Sequence, residues 1–300
     1  MSLLNIVNLE KSYGEKKVLS GVSFQINPGE IVGLIGRNGA GKTTILKSIA
    51  GLKSYSGGNI FYKGNNIAQN SEIIREFGIL IECAFLDYIS AYDNLKILGW
   101  ANNGSLDADL LQRIDEVLRL VDLYEVRKKK TKEYSFGMKQ RLGLAQAILT
   151  AKGFLMLDEP FIGLDPVGKE IVKNAIIKKA REENQGILFS SHDLPDVADI
   201  CDRVIMLDEG ECYSVEASVR RASYIFILKD QPVSDEVLSL LPAGTEFDSQ
   251  NRTIYFTELN NDTTSSVNSL LQFIVNNGLV IEEIRSGDEV LKQLFNRKES

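Results

Sequence analysis

Three hundred residues, 44% of them hydrophobic, are enough for about two domains with a sizeable packed core. A formal net charge of −7 argues against a nucleic-acid surface as the main partner. No run reaches the ~18 uninterrupted apolar residues of a membrane span, and Met1 to Glu15 lack the basic-then-apolar pattern of a secretion signal. Cys83, Cys201 and Cys212, odd in number and without C-x-x-C spacing, read as reduced thiols of a cytosolic protein, not a metal site or a disulfide frame.

In chain order, Leu4 to Val7, Val22 to Ile26 and Ile31 to Ile35 read as short strands, with Asn27-Pro28-Gly29-Glu30 as a turn. The third strand runs directly into Gly36-Arg37-Asn38-Gly39-Ala40-Gly41-Lys42-Thr43-Thr44, followed by a helix-like stretch from Ile45 to Ala50. This is the phosphate-cradling pattern G-x-x-x-x-G-K-[ST] in its strand–loop–helix context. Its glycines let backbone N–H groups turn toward phosphate oxygens. Lys42 can then reach the β- and γ-phosphates, Thr43 can ligate Mg²⁺, and the helix presents its positive end to the anion. The pattern predicts a nucleoside-triphosphate site.

Gly58 to Tyr62 and Phe77 to Ile81 read as two further strands. From Tyr92 to Asp122 the period becomes helical, with Leu110, Leu111, Ile114, Val117, Leu118 and Val121 on one face, so a helical subdomain is expected. The basic run Arg127-Lys128-Lys129-Lys130, followed by Lys132, reads as a solvated loop, with contact to a membrane headgroup as the alternative. Continuous apolar runs at Phe154 to Leu157, Ile187 to Ser190 and Val204 to Leu207 suit a parallel sheet covered on both faces.

Beyond about Val215 the character changes. Strands at Tyr224 to Leu228, Thr253 to Thr257 and Leu279 to Ile284 alternate with helices at Ser234 to Leu241, Val267 to Asn276 and Glu289 to Phe295. That β-α-β-α-β-α order suggests a small α+β domain of ferredoxin-like type. Ser218 to Ser223 is the candidate linker, and Asn260 to Ser266 a polar loop.

Two carboxylates, Asp158 and Glu159, close the buried run Phe154 to Leu157, about 115 residues after Thr43. In α/β sheets ligands sit at this end of a strand. Asp158 is expected to organise Mg²⁺ and Glu159 to polarise the attacking water.

Between these two motifs lies Tyr134-Ser135-Phe136-Gly137-Met138-Lys139-Gln140-Arg141-Leu142. It resembles the L-S-G-G-Q-x-Q-R signature of ATP-binding cassette (ABC) ATPases. Ser135, Gly137, Gln140 and Arg141 match; Tyr134, Phe136 and Met138 depart. Phe136 would be strained if its position required a glycine's positive φ. The S-x-G-M-K-Q-R form is similar to that of drug and bacteriocin exporters. The resemblance covers roughly residues 1 to 215. It implies a P-loop α/β fold with a mixed-sheet core, an antiparallel β subdomain and a helical subdomain near 85–149. The cassette is placed at 1–217 and the accessory α+β domain at 218–300.

Further roles follow from the resemblance, residue by residue. Tyr13 matches the aromatic that stacks on adenine, Gly163-Leu164-Asp165-Pro166 the D-loop, and His192, the only histidine, the switch histidine that contacts the γ-phosphate and the catalytic water. The family's composite site is completed in trans, which assigns Ser135, Phe136, Gly137, Met138 and Asp165 to the ATP of a second ATPase subunit, whether a copy or a paralogue. Gly36 to Thr44 would hold ATP in cis. Glu82 stands where the family carries a glutamine; it resembles the "E-loop" of lantibiotic-immunity ATPases and joins Thr43 and Asp158 as an expected Mg²⁺ ligand. Ala84 to Leu95, with Phe85, Leu86, Tyr88, Ile89 and Tyr92, is either a permease contact or core. Gly287 to Phe295 resembles the closing helix of exporter cassettes. The function so implied is an ATP-driven exporter subunit at the inner face of the membrane, held there by permease subunits, with antimicrobial-peptide immunity as the favoured process. A transporter for a lipid, drug or other substrate, an importer, and a non-transport cassette are the alternatives.

Overall fold

The computed structural model describes residues 2–82, 84–192, 196–197, 199–215, 224–230, 233–250, 252–257 and 267–286. The chain divides into two compact units, Met1–Ser214 and Val215–Ser300.

The first unit holds two sheets. Long strands β1 (Leu4–Tyr13) and β2 (Lys16–Ile26) pair antiparallel, and β4 (Gly57–Tyr62) and β5 (Asn65–Asn66) extend them into a four-stranded antiparallel sheet, β2-β1-β4-β5. Both long strands outrun their apolar cores at Leu4 to Val7 and Val22 to Ile26. Cross-strand hydrogen bonds carry them on through polar residues such as Lys11 and Lys17.

The second sheet has the order β10-β9-β3-β8-β7-β6. Its strands are β3 (Ile31–Ile35), β6 (Phe77–Leu80), β7 (Phe154–Leu157), β8 (Gly186–Ser191), β9 (Arg203–Asp208) and β10 (Glu211–Val215). The pairs β3–β8, β3–β9, β6–β7 and β7–β8 are parallel. Every residue of β3, β7 and β8 is buried, as unbroken apolar runs require in a sheet covered on both faces. β10 has no long apolar run and was not visible in the sequence. The two-residue turn Glu209-Gly210, at φ 45° and 84°, reverses the chain into it.

Helix α1 (Lys42–Ile49) follows β3, and α2 (Ala91–Asn103), α3 (Ala108–Leu120) and α4 (Phe136–Thr150) form the helical portion. Side-chain caps set the starts of the last three: Ser90, Asp107 and Ser135 each accept from the backbone N–H three residues on. Helix α5 (Pro166–Arg181) is capped in the same way by Asp165, with proline in its first turn.

The second unit corrects the sequence-based order. Its described elements run β11 (Tyr224–Leu228), α6 (Asp235–Ser239), β12 (Thr245–Asp248), β13 (Thr253–Phe256), α7 (Val267–Asn276) and β14 (Ile281–Ser286). This is β-α-β-β-α-β, with sheet order β12-β13-β11-β14 and antiparallel pairing throughout. The missed strand, β12, contains only one strong strand former besides Thr245, Phe247, and two acids. A small core of Phe226, Leu228, Ile254, Phe256, Leu270 and Ile274 lies between sheet and helices. The expected helix Glu289 to Phe295, the linker Ser218 to Ser223 and the loop Asn260 to Ser266 lie outside the described residues, as does Cys83; Cys201 and Cys212 are not joined in a disulfide.

Candidate active site

Four parallel strands in the spatial order β3-β8-β7-β6 end at one edge of the sheet. The residues that follow them are Gly36, His192, Asp158 with Glu159, and Glu82. Segments far apart in sequence therefore converge where ligands bind in α/β sheets.

The Gly36–Gly41 loop wraps the entry to α1. Gly39 and Gly41 take φ of 84° and 113°, which an L side chain rarely adopts. A Cβ on Gly36 would lie 2.5 Å from the Leu207 carbonyl oxygen, so only glycine fits against β9. The Lys42 ammonium donates to the Gly36 carbonyl at 2.7 Å and lies 3.7 Å from Glu159 Oε1. Burial holds its pKa below the ordinary lysine value, partly offset by Glu159 and Asp158. Such an ammonium gains from an added anion. Arg37, Asn38 and Gly39 are exposed, Ala40 and Thr44 half-buried.

Thr43 Oγ1 donates to Asp158 Oδ2 at 2.8 Å, and Ser190 Oγ to Asp158 Oδ1 at 2.5 Å. Ser190 Oγ also accepts from the Glu159 N–H at 2.9 Å, while Gln140 Nε2 donates to the Glu159 carbonyl at 3.1 Å. Glu159 takes a left-handed backbone, φ 48°. That conformation costs a non-glycine residue about 1–2 kcal/mol, and it is fastened on both sides by these bonds. It turns the carboxylate so that Oε2 lies 2.8 Å from His192 Nδ1.

Tyr13 is 43% exposed. Lys53 donates to its hydroxyl at 2.8 Å and holds the phenol pKa below its ordinary value, and the Lys11 and Lys53 ammonium groups lie 5.0 and 4.9 Å from the ring centroid. Glu82 is not hydrogen-bonded to Thr43 or Asp158 among the described residues. Its Oε1 lies 2.6 Å from Lys47 Nζ on α1.

The signature segment and the Gly163–Pro166 turn meet within one chain. Ser135 caps α4 and Asp165 caps α5. Phe136 opens α4 with ordinary helical backbone, so the strain considered for a positive φ does not arise. Its 62% exposed ring lies over Gly163, where an added Cβ would sit 2.3 Å from a ring carbon. Gly137 packs on Leu164. A cavity of ≈ 340 Å³, lined by Phe136, Gln140, Asp158 and Glu159 among others, connects this segment to the carboxylates.

The sequence matches the ABC transporter family model over residues 19–162. It is 39% identical over 211 residues to the uncharacterized ABC transporter ATP-binding protein YdbJ of Bacillus subtilis, covering 70% of this chain and 67% of that protein. It is 32% identical over 297 residues to the bacitracin transport ATP-binding protein BcrA of Enterococcus faecalis, covering 97% of this chain and 94% of that protein. The chain is an ABC transporter ATPase. It is also 37% identical over 210 residues to the lantibiotic transport ATP-binding protein SrtF of Streptococcus pyogenes, covering 70% of this chain and 88% of that protein. A solved ATP-binding subunit of an ABC transporter superimposes with a TM-score of 0.66 at 29% identity, covering 73% of this chain and 92% of that one.

Three side chains that contact the candidate residues escaped sequence reasoning. Ser190 bridges both acidic residues, Lys47 meets Glu82, and Lys53 meets Tyr13. Ser190 stands two positions before His192 at the end of a buried strand, a place where a hydroxyl is itself a signal. The lysines carried none, since each contact spans 35 or more residues of sequence.

Proposed function

We propose that this ATPase drives export of an antimicrobial peptide through a membrane permease, with Glu159 as general base and His192 as its positioning partner. The observation that carries the export reading is the similarity to a bacitracin transport ATP-binding protein along nearly the whole chain, the second unit included. Glu82 in place of glutamine supports it.

In the proposed chemistry the Gly36–Thr44 backbone and Lys42 grip the β- and γ-phosphates, and Tyr13 stacks on adenine. Thr43 and Asp158 offer a hydroxyl and a carboxylate oxygen held 2.8 Å apart, a hard-oxygen pair that fits Mg²⁺. Glu82, on the neighbouring strand end, is the third proposed ligand. When bound, Mg²⁺ would offset the charge that develops on the phosphate oxygens. Glu159 accepts a proton from the attacking water while His192 fixes its carboxylate. Ser135 to Met138 and Asp165, all at helix N-termini, complete the site of a second ATPase subunit.

No helix among the described residues is long and apolar enough to cross a membrane. In this reading the permease supplies the spans and holds the ATPase at the inner face. The test is deletion of the gene in its host. Loss of tolerance to a bacitracin-like or lantibiotic peptide, restored by the wild-type gene and not by Glu159→Gln, supports the reading. Unchanged tolerance across such peptides overturns it.

A further inference from the structure

Helix α5 is joined to the segment that follows His192 by charge held inside the protein. Lys169 Nζ donates to Asp196 Oδ2 at 2.7 Å, and Asp196 is only 4% exposed. Lys173, one turn further along α5 and also buried, stands 3.9 Å from Asp196 Oδ1 and 2.5 Å from Asp199 Oδ2. A charge buried to this depth must be met by an opposite one. Such a pair adds little net stability over an apolar contact of the same size. What it adds is a fixed distance and direction between the two segments.

Both partners stand one short step from the candidate chemistry. Lys169 lies four residues after Asp165, the cap of α5, and its N–H donates to the Asp165 carbonyl at 2.9 Å. Glu159 lies six residues before Asp165, on the stretch that leads into the helix, and Asp196 lies four residues after His192. Val197 and Cys201, next along the chain, are buried against β3, where a Cβ on Gly33 would sit 2.6 Å from Val197 Cγ1 and 2.8 Å from Cys201 Sγ. Two contacts therefore close one loop of chain: His192 with Glu159 at 2.8 Å, and Lys169 with Asp196 at 2.7 Å. The His192 side chain is 50% exposed, so packing alone does not fix it.

We propose that Lys169 and Asp196 are positioning residues that hold His192 against Glu159. The inference rests on the reading of Glu159 as general base with His192 as its partner, and it adds the pair that keeps the two together. Lys169 takes its place from the first turn of α5, and Asp196 passes that place to the backbone that carries His192. With the pair broken, the segment after β8 loses its tie to α5 and the imidazole drifts from the carboxylate. Lys173 and Asp199 bind the same two segments further from Asp165 and His192, so they provide the comparison: they share in holding the fold but not in aiming the imidazole.

The chain has a single histidine, so the imidazole Cε1–H of His192 gives one NMR resonance in the full-length protein. Glu159→Gln should move that resonance. In Lys169→Met and in Asp196→Asn the same substitution should move it by less than about half as much, because the imidazole no longer faces residue 159. Single-turnover phosphate release should fall about ten- to a hundredfold in both variants, with ATP affinity within about twofold of wild type. Lys169→Arg keeps the cation and should restore both readouts. Lys173→Met should lower the melting temperature and leave the His192 response whole. Should Asp196→Asn fail to fold, Lys169→Met carries the test, since that side chain is 29% exposed. A full Glu159 response in Lys169→Met overturns the proposal, and so does an equal loss in Lys173→Met, which would make the pair a fold contact only. If His192→Ala and Glu159→Gln leave phosphate release unchanged, the catalytic reading itself fails; if they lower it and Lys169→Met does not, the positioning role alone is overturned.

Discussion

Lys47 on the helix that follows the phosphate loop holds Glu82 at 2.6 Å, a hydrogen bond that raises the lysine pKa and lowers the carboxyl pKa. Lys47 also feels Asp158. The carboxylate proposed for Mg²⁺ is therefore shared with an ammonium of its own chain, and metal and lysine compete for it. In Lys47→Gln the competitor is gone. The Mg²⁺ concentration that gives half-maximal ATP binding should fall severalfold, roughly two- to fivefold for an exposed pair. Fluorescent-nucleotide titration at stepped Mg²⁺ measures it; an unchanged or higher requirement would remove Glu82 from the metal.

Glu159→Gln should leave ATP affinity near wild type and lower phosphate release by about 10²–10⁴-fold, the usual contribution of a positioned general base. His192→Ala should lower turnover through the same carboxylate, since the two side chains meet at 2.8 Å. The double variant should then be little worse than Glu159→Gln alone. Single-turnover hydrolysis with equilibrium binding separates the two effects. Full additivity of the losses would place His192 in an independent role.

Much of the cassette was legible because its chemistry sits in short motifs attached to buried strands. Phe154 to Leu157 and Ile31 to Ile35 matched their strands residue for residue, since nothing but burial explains such runs. What could not be read was either polar or distant. β12 has one apolar side chain, Phe247, and β10 has no unbroken apolar run, so neither stands out, and their pairing is fixed by neighbours. Ser190 acts across 31 and 32 residues on Glu159 and Asp158, a relation that only the parallel register of β7 and β8 creates. Phe136 looked like a departure from a glycine pattern; it is accommodated by Gly163, a second residue the motif does not contain.

The match between Phe136 and Gly163 predicts a coupled pair. Gly163 has φ 68°, so alanine there pays a backbone cost of about 1–2 kcal/mol, and its Cβ collides with the ring. In Phe136→Ala only the backbone cost remains. Gly163→Ala should therefore lower the melting temperature more in the wild type than in the Phe136→Ala background, with a coupling of about 0.5 kcal/mol or more. Identical drops in both backgrounds would show that the ring and the turn are independent.

Tyr134, which begins the signature segment, is 6% exposed and donates its hydroxyl to the Val126 carbonyl at 3.0 Å. Burial pushes its phenol pKa up to about 12. An unfolded tyrosine ionises near pH ~10, so the folded state keeps a proton that the unfolded state releases first. This contribution to stability is therefore whole below pH ~10 and is lost as pH rises through about 12. Tyr134→Phe removes the titration and the hydrogen bond, costing about 0.5–1.5 kcal/mol at neutral pH. Urea unfolding of the two proteins across pH 8 to 11.5 should show the wild type losing its advantage at the alkaline end. A gap between the two that is constant with pH would mean that the phenol ionises alike in both states.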